Sequence, residues 1–250
     1  MNAVLRRAWL AVVMAVVAFP VVVTVVVAAG PGNVRAALDA IPLGSQYLMS
    51  VAVTVVQAGA ELMTSALAAY AFVFPSWRGR SVAFGAVLAT LAIPGETTVI
   101  PNFELVTSLG LRNTVLGVTV PFLAAGYPVF LLRQAFGALP REVWEASRLD
   151  GCGSLRSLAS VVLPMARGHL LTAGMWCALS AWNGYFWPLL ITDSPNRRTV
   201  QVGLAQLAVG ESTTPGVIYA GTLLVLLPTL LLVLVGQRWL VSGLATRVTG

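Results

Sequence analysis

Residues 8 to 29, AWLAVVMAVVAFPVVVTVVVAA, contain no charged side chain. As an α-helix, 22 residues rise about 33 Å, enough to cross the roughly 30 Å of hydrocarbon in a bilayer. A cleavable signal peptide would have an apolar core of about 7–15 residues followed by a small-residue cleavage site. This run is longer and rich in valine, and Arg6 and Arg7 precede it. It reads as an uncleaved first membrane span, with Pro20 bending it.

The rest of the chain repeats the pattern. Only 10% of the 250 residues are charged and the mean hydropathy is +0.86, whereas a soluble domain carries about a quarter charged residues. Such a chain cannot cover a soluble surface. Further spans are expected at about 47–74, 81–100, 114–132, 168–191 and 216–236. Pro94-Gly95 breaks the third near its end, and Pro121 and Pro128 lie in the fourth. The intervals 30–46, 102–113 and 192–215 read as polar loops, and PSWRGR at 75–80 as a basic turn. The fold class is therefore all-α, one transmembrane domain over residues 1–250 with six helical spans and no soluble domain or internal repeat.

Six spans place both termini on one side, and the arginines say which. Arg6, Arg7, Arg78, Arg80, Arg133, Arg141, Arg148, Arg156, Arg167, Arg238 and Arg247 fall on the terminal side. Arg35, Arg112, Arg197 and Arg198 fall on the other. Eleven against four makes the termini cytoplasmic.

Several function classes drop out. The formal charge is +6 and every basic residue is arginine, but the arginines lie between apolar runs, as in positive-inside loops, so nucleic acid is not a partner. Cys152 and Cys177 do not make a disulfide framework, and His169 has no His/Cys cluster around it for a metal. No G-x-x-x-x-G-K-[ST] segment exists to bind ATP. An intramembrane hydrolase needs paired catalytic groups within the spans, yet Asp39, Asp150 and Asp193 fall in loops. A secondary transporter is the remaining rival, with Glu61 as a proton carrier.

The longest polar interval is LPREVWEASRLDGCGSLRSLASVVLP, residues 139–164. It reads as two short helices with a turn between them. Glu142 and Glu145 suit the first helix's N-terminal dipole, and Glu145 and Arg148 can pair at i,i+3. Gly151-Cys152-Gly153 breaks the helix. Ser154 can cap the second, whose apolar face is Leu155, Leu158 and Val162. Pro164 ends it or kinks the start of the fifth span. On periodicity alone this is an interfacial connector.

The residues themselves carry more. Glu145-Ala146-Ser147, Asp150-Gly151 and Leu163-Pro164 resemble the EAA loop in permease subunits of bacterial ABC importers, with Ser147 where a second alanine is usual and Cys152 where a small residue is. Ala68-Ala69-Tyr70-Ala71-Phe72, Leu109-Gly110-Leu111-Arg112-Asn113-Thr114, Trp182-Asn183 with Pro188-Leu189, and Gln237-Arg238 with Gly243-Leu244 are similar to the carbohydrate-import branch. Met49, where asparagine is usual before Ser50, and the tail ATRVTG depart from it. The segments Trp182 to Thr192, Pro94-Gly95-Glu96, Phe130 to Gln134 and Arg198 to Leu204 look like the glycerol-3-phosphate import sub-branch.

The resemblance implies a type I importer permease in a bacterial inner membrane. It implies a second homologous permease, an ATPase dimer and an extracytoplasmic solute-binding protein as partners. No cofactor is expected on this chain; ATP and Mg would be bound by the ATPase. Glu145, Ala146, Ser147, Asp150, Gly151, Leu163 and Pro164 would couple to that ATPase, and the loop at 192–215 would face the binding protein. The implied solute is glycerol-3-phosphate or a glycerophosphodiester, with a di- or oligosaccharide as the alternative. Polar and aromatic residues on the spans are candidates for its path: Gln57, Glu61, Glu96, Tyr127, Trp182, Asn183, Tyr185 and Trp187. Trp187 can equally be an interfacial belt residue.

Overall fold

The computed structural model describes residues 3–210 and 213–245, with side chains from Leu5 to Leu234. Arg247 and the side chain of Arg238, part of the expected basic tail, lie outside the described residues, as do the side chains of the Gln237-Arg238 and Gly243-Leu244 pairs. Every regular element among the described residues is helical.

Three helices are long and apolar enough to cross a membrane singly: α1 (Ala3–Ala28), α3 (Leu43–Val73) and, at the C-terminal end, a helix over Pro215–Ala245. Between α1 and α3 the expected loop holds α2 (Asn33–Ala40), which buries Ala37 against Ala28, Leu207 and Ala220.

Two bent helix pairs are further candidates, each with the geometry of a broken span or a re-entrant loop. The first joins α4 (Arg80–Thr90), through a 3-10 turn at Gly95–Thr98, to α5 (Val99–Ser108), with a 94° bend. The second joins α6 (Val115–Thr119) and its 3-10 extension to α7 (Gly126–Gly137), with a 53° bend. The region expected as the fifth span is α10 (Arg167–Trp182) followed by α11 (Phe186–Ile191), divided at Asn183-Gly184-Tyr185. Neither piece alone is long enough to span.

The three restarted helices share a cause. Pro101, Pro128 and Pro188 are each the third residue of α5, α7 and α11. There an amide N–H has no intrahelical partner, so proline loses nothing. Were the preceding helix to run on, the proline ring would clash with the carbonyl four residues back. The interval 102–113, read from sequence as a polar loop, is therefore helical through Ser108, because Pro101 starts a helix there. Gly126 adds a packing reason at the second break: a Cβ there would meet Thr90 Oγ1 at 2.8 Å and Val87 O at 3.1 Å, so α7 begins where it crosses closest to α4.

Between α7 and α10 lie α8 (Arg141–Leu149) and α9 (Ser154–Met165), the helix pair expected from the 139–164 interval. The third expected loop, 192–215, is largely folded as well. A 3-10 turn at Pro195–Arg197 leads into α12 (Val200–Val209), whose Val200, Val202, Gly203 and Leu207 are buried. Its ends are polar but its middle is apolar, and the end residues set the sequence reading. The C-terminal helix, α13 (Pro215–Ala245), packs along α1, α2, α10 and α12.

Helix α3 is the centre of the bundle, packed by α10 and α7 along its length. Towards its C-terminus, Ala66, Ala69, Tyr70 and Phe74 join Leu132, Phe136, Leu158, Val162 and Ala173 in the largest buried cluster. Towards its N-terminus, Met49 and Val53 pack with Val106, Val118, Trp187 and Ile191. The two clusters flank a cavity.

Candidate functional site

At one end of the bundle the EAA-like stretch folds as a closed helix–turn–helix. Gly151 has φ +80°. Its N–H bonds Arg148 O at 3.1 Å, and the Cys152 N–H bonds Ser147 O at 3.0 Å. These are the paired bonds of a Schellman C-cap, which needs a left-handed residue where Gly151 stands. Arg148 reinforces the turn by donating to Cys152 O at 2.6 Å. Arg148 is thus not the partner of Glu145, as i,i+3 spacing suggested. Glu145 accepts from Arg141 Nε at 3.1 Å, one turn earlier, because the Cys152 carbonyl claims Arg148.

The second helix also differs from expectation. Gly153 occupies the N-cap position and no side chain caps the helix, so Ser154 is its first residue rather than its cap. Leu158 and Val162 are buried, but Leu155 is 72% exposed, since the first turn stands clear of the spans. Before Pro164 the helix widens: Leu163 N–H bonds Leu158 O, five residues back, in a π turn over Leu158–Val162. That turn absorbs the missing proline donor and the bulk of its ring. The chain then breaks at Ala166, with φ −92° and ψ 11°.

The inner face of α8 is pinned to the spans. Trp144 Nε1 donates to the Tyr70 hydroxyl at 2.9 Å, and the Trp144 ring stacks on Phe74 at 5.4 Å. Ser147 Oγ lies 2.9 Å from Ser157 Oγ in a buried pair and donates to Trp144 O at 2.7 Å or shares its proton across the pair. The serine that replaces alanine here thus ties the two short helices together. The outer face of α8 is exposed, with Glu145 and Ala146 on it and Leu149 89% exposed; Asp150 and Gly151 in the turn and Pro164 in α9 are exposed too, and Leu163 is half-buried.

In the middle of the bundle is a cavity of about 290 Å³ lined by Gln57, Glu61, Phe122, Trp176, Ser180, Tyr185 and Trp187, among others. Glu61 is 2% exposed. Gln57 Nε2, one turn earlier, donates to its Oε1 at 2.9 Å. Its Oε2 has no hydrogen-bond partner, although the Cys177 thiol, a weak donor at best, lies beside the carboxyl group. Burying an acceptor without a full partner costs about 1–3 kcal/mol.

Among the residues expected on a solute path, the structure brings Gln57, Glu61, Tyr185 and Trp187 together. Trp187 is not an interfacial belt residue: it is buried, with Nε1 donating to Gly117 O at 3.2 Å. Tyr127 joins indirectly, its ring 4.6 Å from that of Trp176. Trp182 points away and is buried against Val200, Val225 and Tyr47. Asn183 ends α10, donating to Leu179 O at 2.8 Å and accepting from Gln201 Nε2 at 3.3 Å. Glu96 is exposed in the 3-10 turn before α5 and lines no part of the cavity. Sequence reasoning missed Trp176, Ser180 and Phe122. The first two were legible: Trp176, Ser180 and Gly184 recur every four residues, one face of a helix.

A polar latch closes the opposite side. Asn113, with φ 59°, accepts from the N–H groups of Asp193 and Ser194 at 2.6 and 3.1 Å and donates Nδ2 to Asp193 Oδ2 at 3.2 Å. Arg112 reaches both Asp193 oxygens, at 2.8 and 2.9 Å. The chain after α5 is thereby locked to the chain after α11.

The arrangement has known relatives. Residues 1–245 match the family described as the inner membrane component of binding-protein-dependent transport systems. The sn-glycerol-3-phosphate transport system permease protein UgpE of Yersinia pestis bv. Antiqua (strain Antiqua) is 34% identical over 218 residues, 86% of this chain and 76% of its own length. The protein of the same name from Pectobacterium atrosepticum is 35% identical over 217 residues, 86% and 75% of the two chains. A crystal structure of a bacterial ABC transporter involved in import of the acidic polysaccharide alginate contains a chain of the same fold. It superposes with a TM-score of 0.84 over 94% of this chain and 95% of that one, at 21% identity. The protein is a multi-pass component of the inner membrane, built for transport, and it belongs to the family of inner membrane components of binding-protein-dependent ABC importers.

Proposed function

We propose that this chain forms half of the translocation path of an ATP-driven importer for glycerol-3-phosphate or a glycerophosphodiester. A second homologous permease supplies the other half, an external solute-binding protein delivers the solute, and a separate ATPase dimer binds ATP and Mg and hydrolyses the nucleotide. The chain crosses the bilayer six times with both termini cytoplasmic, α10 and α11 together making the fifth crossing. It carries no catalytic group of its own; its part is mechanical.

The observation that carries the reading is the pinned, one-sided geometry of α8. Its outer face, with Glu145, Ala146 and Leu149, is free to dock on the ATPase. Its inner face is fastened through Trp144 to Tyr70 on α3 and to Phe74 at the C-cap of α3, and through Ser147 to Ser157 on α9. When the ATPase dimer closes on ATP, a displacement of α8 passes into α3 through the aromatic stack and into α10 through α9. Packed side chains transmit such a shift as a rigid-body movement because interiors resist compression. Asp150 and Gly151 keep the handle closed, and Leu163 and Pro164 set its joint with α10.

The solute assignment is supported by the names of the relatives and by the 86% of the chain over which the similarity runs. Gln57, Glu61, Tyr127, Tyr185 and Trp187 are the residues placed at or beside the central cavity. Reconstitution with the partner subunits tests the assignment. ATP-driven uptake of labelled glycerol-3-phosphate or glycerophosphocholine, with a disaccharide left outside, is the expected result; uptake of the disaccharide alone rules it out.

A further inference from the structure

A second cavity, of about 470 Å³, lies where α3 and α7 end and α4 and α8 begin. Arg80, Arg133 and Arg141 line it, and among the described residues no acidic one does. The helix ends leave little net charge there. Val73 and Gly137 close α3 and α7 with negative dipole ends, and Arg80 and Arg141 open α4 and α8 with positive ones, so the four roughly cancel. The side chains then decide the sign. Arg141 is paired with Glu145. Arg80 donates Nη1 to Val73 O at 3.2 Å and to Pro75 O at 3.3 Å, which fixes its place but does not neutralise it. Arg133 sits over the Phe84 ring, Cζ 4.8 Å from the centroid, and its Nε is buried with no hydrogen-bond partner. Neither Arg80 nor Arg133 pairs with a carboxylate among the described residues. Partly buried arginines at the ends of spans are expensive without a counter-charge.

We infer that this cavity holds the headgroup of an anionic phospholipid, with Arg80 and Arg133 as its counter-charges. Guanidinium groups match phosphate oxygens with paired hydrogen bonds, and basic pockets between spans on the cytoplasmic side suit anionic headgroups. The volume falls within the roughly 300–1,000 Å³ of small-molecule sites. Two observations favour a lipid over a soluble anion. Trp77, in the turn joining α3 to α4, is 44% exposed with Nε1 donating to Ala71 O at 2.9 Å, which suits a ring at headgroup height. Helix α4 buries none of its residues, and Val82, two residues beyond Arg80, is 78% exposed, so an apolar surface for acyl chains leads away from the arginines. Ala138 and Leu139, the link from α7 to α8, also line the cavity, so a bound headgroup braces the joint of the coupling helix. The leaflet follows from the topology proposed above; the lipid does not depend on which solute is carried.

The test purifies the complete importer, with both permeases and the ATPase, in detergent containing equal amounts of phosphatidylglycerol and zwitterionic phosphatidylcholine. Native mass spectrometry counts the lipids that stay bound longest as detergent is raised. Wild type should retain phosphatidylglycerol over phosphatidylcholine about tenfold, the weight of one charge-assisted hydrogen bond. Arg133→Gln removes a charge that no carboxylate balances, and the preference should fall to within about twofold. Arg133→Lys keeps the charge and should retain more of the preference than Arg133→Gln. Arg35→Gln, which breaks an exposed pair with Asp39, should match wild type. Equal retention of the two lipids by wild type overturns the inference by itself, whether or not the variants assemble. An unchanged preference in Arg133→Gln overturns the site. Loss of the wild-type preference in inorganic phosphate, but not in sodium chloride of equal ionic strength, makes free phosphate the ligand and overturns the lipid. No preference in wild type, with the ATPase lost from Arg133→Gln on purification, gives the arginine to an acidic side chain of the ATPase and overturns the lipid as well. A chain that copurifies with no ATPase overturns the transport reading, while the lipid counts on the complex it does form still decide this one.

Discussion

Replacing Gly151 with alanine should uncouple the transporter without unfolding its spans. Gly151 sits at φ +80° and a Cβ built on it would meet nothing within 4 Å, so the substitution costs no packing. The cost is conformational: an L-residue in the left-handed region is disfavoured by about 1–2 kcal/mol. Relaxing φ to a negative value breaks the two cap bonds, Gly151 N to Arg148 O and Cys152 N to Ser147 O. Either way the closed turn loses about 5–30-fold in population relative to open forms. Gly153 is an internal control, two residues on. It also has open space around its Cβ position, but its φ is −64° and its ψ 163°, which any residue adopts. The assay is ATP-driven uptake per ATP hydrolysed in the reconstituted complex, with thermal denaturation of the membrane helices alongside. Gly151→Ala should lower solute moved per ATP several-fold at an unchanged denaturation temperature. Gly153→Ala should match wild type. If the two variants behave alike, the left-handed turn is not what couples the helix pair to the spans.

Other substitutions separate the same contacts. Ser147→Ala leaves Ser157 buried with one partner fewer and should cost about 1–3 kcal/mol, whereas Ser147→Ala with Ser157→Ala should recover part of it; chemical denaturation in detergent measures both, and strict additivity would argue against the pair. The ion pair of Arg141 and Glu145 is more than half exposed at both ends, so it adds no more than about 0.5 kcal/mol. Arg141→Ala should thus be mild, and a large loss of uptake in Glu145→Ala, with the subunit still in the membrane, would report the docked ATPase; equal effects would assign the loss to the ion pair. Trp144→Phe keeps the ring near Phe74 and deletes the bond to Tyr70; uptake should fall in parallel in Trp144→Phe and Tyr70→Phe and no further in the double variant. Asn113→Ala loses three side-chain bonds and the tolerance for φ 59°, so it should destabilise the chain more than Asn113→Gly, which keeps the backbone freedom; the reverse order in a melting assay would remove the strain argument.

The all-helical multi-pass character, the inner-membrane setting and the helix–turn–helix shape of 139–164 were legible because they depend on local quantities. An uncharged run is apolar whatever it packs against, Glu145-Ala146 and Gly151 lie within two turns of each other, and a glycine after a helix announces its cap. Prolines were equally local but only partly legible. The expected break at Pro94-Gly95 lies between α4 and the 3-10 turn, whereas the restarts two residues before Pro101, Pro128 and Pro188 were not foreseen. The rule that proline is free in a first turn was available from the sequence; which prolines would use it depended on where α4 and α10 ended. The helical character of 200–209 was hidden because its polar flanks set the mean while its apolar middle packs on α3.

The central cavity lay further from reach. Gln57 and Glu61 stand four apart and share a helix face by sequence alone, so their mutual hydrogen bond is implied by spacing. That Tyr185 and Trp187 face them while Trp182 and Asn183 turn away is not. The break at Asn183-Gly184-Tyr185 resets the rotation of α11 relative to α10, and residues two apart across it no longer keep helical register. Sequence determined which elements exist and what chemistry they carry, since both follow from composition and short-range sterics. Only the tertiary structure decided which side chains meet, because that depends on angles at three proline-started breaks, and small rotations there carry a side chain from the cavity wall into a packed interface.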